Sequence, residues 1–98
     1  MTTIIFRPAA AADVEDAYLW YEEQRPGLGD EFLIAVESSL QAVRSHPEAW
    51  PVVYRETRRA LLHCFPHGLF YRLYGQRIVI VACMHASRDP RQWKSRNR

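Results

Sequence analysis

An α+β fold is predicted for this chain from three features of its sequence. These are a β-branched opening, two amphipathic helical stretches joined by a proline- and glycine-rich break, and a change to two-residue periodicity after residue 57. Ninety-eight residues support one hydrophobic core, so residues 1–98 are expected to form a single domain with a basic tail over 88–98.

Residues 2–6 are rich in Thr, Ile and Phe and read as a strand. Pro8 follows where a first helical turn tolerates proline, because that N–H has no intrahelical partner. Over residues 9–24 Val14, Ala17, Tyr18 and Tyr21 fall on one helical stripe, broadened by Leu19 and Trp20. Glu15, Asp16, Glu22 and Glu23 are then turned to water. The break Arg25-Pro26-Gly27-Leu28-Gly29 stops this helix, and Asp30 is positioned to cap a second over about 31–45. Its buried side is Phe32, Val36, Leu40 and Val43, and His46-Pro47 ends it. Two helices with so short a link fold back as an antiparallel hairpin.

Residues 48–57 form a connector with Pro51, Trp50 and Tyr54. Residues 58–65, 69–74 and 77–84 then read as strands, turned by Pro66-His67-Gly68 and by Gly75-Gln76. The expected architecture is β-α-α-β-β-β: a small, mostly antiparallel sheet with the helical hairpin packed on one face. In the last strand Ile78, Ile80, Ala82 and Met84 alternate with Val79, Val81, Cys83 and His85, so both faces are apolar. That strand is expected to lie inside the sheet. The sheet face away from the helices would be bare in an isolated chain, which implies a protein partner.

Composition excludes several classes. The longest apolar run, 78–84, is far short of the roughly 20 residues a membrane-spanning helix needs. Met1 to Arg7 lacks the basic flank and apolar core of a secretory signal, so a cytoplasmic location is expected, with no membrane partner. Cys64 and Cys83 are too few for a disulfide framework or a zinc site, and both read as buried free thiols. His46, His63, His67 and His85 show no metal-ligand spacing, and phosphate-loop and nucleophile-elbow motifs are missing. Neither a metal nor a cofactor is expected. Net charge is only +2, yet five of the thirteen basic side chains lie in 88–98 (Arg88, Arg91, Lys94, Arg96 and Arg98).

The chemically interesting residues lie on or beside the sheet: Arg55, Arg58, Arg59, His63, Tyr71, Arg72, His85 and Arg88. A metal-independent ribonuclease needs a proton carrier and cations to hold a phosphorane, which Arg59, His85 and Arg88 would nominally supply. The bland reading is that sheet arginines pair with carboxylates and strand-end histidines satisfy backbone carbonyls. Phe65, Phe70, Tyr71, Tyr74 and Trp93 suit base stacking, but strand-spaced aromatics more often fill a core.

Longer motifs carry a resemblance. Tyr21-Glu22-Glu23-Gln24, Pro26-Gly27-Leu28-Gly29-Asp30-Glu31-Phe32 and Pro47-Glu48-Ala49-Trp50-Pro51 occur in order. Arg58-Arg59-Ala60-Leu61-Leu62, Phe65-Pro66-His67-Gly68 with Tyr71-Arg72, and the stretch from His85 to Trp93 complete the set. Together they resemble the RelE/ParE superfamily of bacterial toxins over about residues 4–93. The resemblance implies the toxin of a type II toxin–antitoxin module, bound in a hetero-oligomer by a ParD-like antitoxin. The antitoxin's ribbon-helix-helix part would meet operator DNA, so this chain would meet DNA only indirectly. RelE-like members cut mRNA on the ribosome with clustered lysines and arginines and a C-terminal tyrosine or histidine; ParE-like members poison DNA gyrase. One lysine in total, Lys94, and no tyrosine after Tyr74 make the chain similar to the ParE side. The antitoxin is expected at Arg58, Arg59, Arg72, His85 and Arg88, and the target at Arg91, Trp93 and Lys94. The alternative is a ribosome-dependent mRNA endonuclease using Arg59, His85 and Arg88.

Overall fold

A computed structural model of the chain describes residues 2–87. Its elements run β1 (Thr3–Phe6), α1 (Pro8–Gln24), α2 (Leu28–Ser45), β2 (Val52–Tyr54), β3 (Thr57–Leu61), β4 (His67–Tyr74) and β5 (Arg77–His85). The strands form one open sheet in the order β1-β5-β4-β3-β2. Among the described strands only β1 and β5 pair in parallel; the other pairs are antiparallel. The α+β class, the helical hairpin and the meander of the last three strands agree with expectation.

The hairpin is tighter than the sequence suggests. Gly27, at φ 90°, is the N-cap of α2, so the helix begins at Leu28 and Asp30 falls inside its first turn. The cap comes from the preceding helix. The Glu22 carboxylate accepts hydrogen bonds from the Gly27 N–H (3.0 Å) and the Gly29 N–H (2.9 Å). A carboxylate on an orphan helix N-terminus satisfies donors and complements the dipole. Glu22 is therefore structural, contrary to its expected place in water. A Cβ on Gly29 would stand 2.8 Å from Glu22 Oε1 and from the Tyr18 ring, so glycine permits the helices' close approach.

One core fills the space between helices and sheet. Phe32, Val43, Leu69, Tyr71, Ile78 and Ile80 are its largest fully buried members. Phe65, placed by the sequence at the end of a strand, instead packs edge-on against Tyr21 and Phe32. The strand ends earlier because Cys64 takes φ 68° and Pro66 follows, so residues 62–66 loop out. Cys64 is exposed in that loop rather than buried, whereas Cys83 is buried as expected. Leu19 and Trp20 are 51% and 56% exposed and do not broaden the buried stripe of α1.

Two departures set the faces of the sheet. The connector contains a strand, β2, which closes the sheet beside β3. In β5 the pairing steps from Phe70↔Ala82 to Tyr71↔Ile80, so Val81 is an extra residue. Such a bulge reverses the alternation beyond it. Ile78, Ile80 and Cys83 consequently join the helix-side core, while Ala82 and Met84 join Phe70 on the other side. That second side is not bare: Phe70, Ala82 and Met84 are buried, with Val53 and Tyr54 packed against them. Exposed apolar surface lies at its periphery, on Leu61, Ile5 and Tyr74.

Candidate functional site

Strand register assigns each candidate side chain to a face. Arg59 pairs with Phe70, and His67 pairs with His85. His67 and Phe70 are three residues apart on β4, so they point to opposite sides of the sheet. His85 therefore lies on the helix side and Arg59 on the open side. The expected trio of Arg59, His85 and Arg88 is divided by the sheet itself, and Arg88 falls outside the described residues. Arg91, Trp93 and Lys94 also lie outside them.

On the helix side a groove of about 650 Å³ runs between α1 and the ends of β4 and β5. Asp16, Trp20 and Tyr21 line one wall; Pro66, His67 and His85 line the other. The Tyr21 hydroxyl and His67 Nδ1 are 3.3 Å apart, and the His67 and His85 ring centres are 5.7 Å apart. Burial, followed by the proximity of Cys83, raises the Tyr21 hydroxyl above its ordinary value. His85 Nδ1 accepts the Ser87 N–H at 3.1 Å, with Ser87 Oγ 2.7 Å away. An accepting Nδ1 puts the neutral ring's proton on Nε2.

Deeper in the groove the Cys83 N–H donates to the Asp13 carboxylate at 3.0 Å. Burial, then the Asp13 charge, pushes the Cys83 thiol up to about 12. It stays protonated at neutral pH and is no nucleophile. Among the described residues no group of three or more His, Cys, Asp or Glu side chains is arranged to hold a metal ion.

The sheet arginines differ in what occupies them. Arg58 Nη1 donates to the backbone carbonyls of Trp50 (2.6 Å) and Glu48 (3.1 Å). The same stretch of chain is held a second time by the Tyr71 hydroxyl, which donates to the Pro47 carbonyl at 2.6 Å. Burial raises the Tyr71 hydroxyl, and Arg58 partly offsets the rise. Arg72 pairs with Glu56 at 2.6 Å and stacks over Tyr74. Arg59 has no carboxylate partner among the described residues, and its Nε is shut off from water without a hydrogen bond. Gly68 lies directly beneath its stem.

The sequence pointed to all these arginines alike, because spacing alone does not show which guanidinium is already engaged. It missed Asp13, Glu22 and Gly68. Glu22 had a usable signal, being an acid one turn before a glycine-rich helix start. Gly68 had none, since it read as part of a turn.

The family model for the ParE toxin of the type II toxin–antitoxin system parDE matches residues 4–90. The chain belongs to the ParE toxin family. The match takes in β1 from Ile4 onward, the other six described elements whole, and so both faces of the sheet. Among solved structures the chain is similar to one described as the chromosomal ParDE toxin–antitoxin system from P. aeruginosa, at 21% identity and a TM-score of 0.66. That alignment covers 87% of this chain and 96% of the other, and it supports the fold. A search of curated proteins gave no match. Membership of a ParE family implies a toxin role and an antitoxin partner. Among the described residues no helix is long and apolar enough to cross a membrane.

Proposed function

We propose that this ParE-family chain is the toxin of a two-component module, neutralised by direct binding of a ParD-like antitoxin encoded beside it. It acts by binding DNA gyrase, without chemistry of its own. One observation carries the second statement: Arg59 and His85 lie on opposite faces of the sheet. General acid–base cleavage of RNA needs a proton carrier and a phosphate-binding cation around one phosphorus. Side chains that leave a sheet on opposite faces point away from each other and do not converge on one atom. Two further groups in the groove are poor proton carriers, since Cys83 is held protonated and Tyr21 is raised.

The antitoxin is best served by the open side. Arg59 offers an unengaged cation there, with exposed Leu61 beside it. Arg58 is bound to carbonyls and Arg72 to Glu56, so their contribution to antitoxin contact is smaller than that of Arg59. The basic tail at 88–98, with Arg91, Trp93 and Lys94, is the segment proposed to meet gyrase, and Arg88 to meet the antitoxin.

Purified toxin added to a gyrase supercoiling assay is expected to stop supercoiling or to trap cleaved DNA, and the antitoxin is expected to reverse this. Gyrase that works normally at micromolar toxin removes the proposed target.

A further inference from the structure

We infer that Arg59, Gly68 and Leu61 form a notch on the open face that receives one carboxylate side chain of the antitoxin, with an apolar neighbour of that carboxylate resting on Leu61. The inference rests on the antitoxin reading above and names the chemistry by which the partner is held.

Three observations build the notch. Arg59 is half-buried and has no carboxylate partner among the described residues. It gains no hydrogen bond at its buried Nε, so its charge is left for a partner to neutralise at the part of the side chain that remains accessible. Gly68 makes the cradle: a Cβ there would lie 3.0 Å from Arg59 Cγ, 3.3 Å from Cδ and 3.5 Å from Leu61 Cδ2. The arginine stem thus lies flat on backbone, which fixes the direction of its planar fork. Leu61 is 55% exposed and flanks the same glycine. A fixed guanidinium beside an open aliphatic side chain suits a Glu or Asp that stands next to an apolar residue.

The same surface is poorly suited to nucleic acid. Phosphate binding gains its strength from several cations along a track. Among the described residues of this face Arg72 is turned to Glu56 and Arg55 lies over the Tyr54 ring, so Arg59 stands among apolar side chains without a track of free cations.

The test is calorimetric titration of full-length toxin variants with the antitoxin encoded beside the chain. Arg59→Gln is expected to weaken binding about tenfold to a hundredfold, with Arg59→Lys in between because it keeps the charge and loses the fork. Gly68→Ala, which displaces the stem by a few tenths of an ångström, is expected to weaken it less. Arg58→Gln is expected to weaken binding less than Arg59→Gln does, because its guanidinium is already bound to the Glu48 and Trp50 carbonyls. Wild-type affinity in a folded Arg59→Gln overturns the inference.

A second arm is independent of the antitoxin: N-acetylglutamate is titrated while the Arg59 Nε–H signal is followed by NMR. A saturable shift supports the notch, and an unmoved signal overturns it. Should the antitoxin fail to bind the wild-type chain, the functional proposal falls, and this second arm alone decides the notch. Loss of message cleavage in Arg59→Gln with antitoxin affinity intact assigns the arginine to phosphate and overturns the inference.

Discussion

The two faces of this sheet are built on opposite terms. On the helix side, polar groups are tied into the fold. Tyr71 reaches the Pro47 carbonyl, Arg58 holds the carbonyls of Glu48 and Trp50, and Asp13 takes the Cys83 N–H. On the open side, Phe70, Ala82 and Met84 form a smaller cluster, and Arg59 stands beside it with a buried, unmatched Nε. The first face, the Ser39 hydroxyl apart, is tied together within the chain and contributes stability. The second leaves a charge-bearing group unsatisfied, a pattern that in native proteins calls for a ligand or a partner. Membership of the ParE toxin family, which implies an antitoxin partner, agrees with that division.

If the division is right, substitutions on the helix side should change stability, and those on the open side should change binding. The largest effect is expected at Phe32, which is fully buried: Phe32→Ala should cost about 3–5 kcal/mol in urea unfolding, enough to leave much of the chain unfolded. Next is the pH dependence contributed by Cys83. The folded chain keeps the thiol proton to about pH 12, whereas the unfolded chain loses it near 9. The raised value means that stability is fully present below pH 9 and falls as pH rises toward 12. Urea melts at pH 7, 9 and 10 should show a steeper alkaline loss for wild type than for Cys83→Ala. Iodoacetamide at pH 8 should label exposed Cys64 and spare Cys83.

Smaller effects sharpen the comparison. Tyr71→Phe removes the donor to a part-buried carbonyl and should cost about 1–2 kcal/mol. Glu22→Ala removes the shared cap of α2 and should cost about 1 kcal/mol, seen as earlier loss of helical circular dichroism on heating. Arg59→Gln should stay within about 0.5 kcal/mol of wild type in the same melt, because it removes an unpaired donor. A large loss there would mean that Arg59 is structural, and the contrast between the faces would fail. Ser39→Ala is expected to be neutral or slightly stabilising, since the buried Ser39 hydroxyl oxygen has no partner among the described residues.

The helices and the last three strands were legible because their periods of 3.6 and 2 are written in the apolar residues. The starts and turns that depend on tertiary contacts were not. Asp30 looks like a cap, yet Glu22 caps α2 across the hairpin, a contact that exists only once the helices meet. Strand β2 was hidden because three residues between prolines and turns carry no periodic signal. Alternation was read correctly up to Ile80, but one inserted residue, Val81, exchanges the faces beyond it. The candidate site suffered from the same blindness. Arg59 and His85 read as neighbours on a small sheet, and register puts them on opposite sides. Which of three arginines is unengaged depends on carbonyls and a glutamate that the fold brings to Arg58 and Arg72.

The central claim is that the sheet divides Arg59, the sheet arginine left without a partner, from His85, and that the toxin acts by binding rather than by cutting RNA. Primer extension on messages from cells expressing the toxin without its antitoxin tests this most directly. Full-length transcripts in growth-arrested cells are the expected result. New cuts at codons in the ribosomal A site, abolished by His85→Ala, would contradict it.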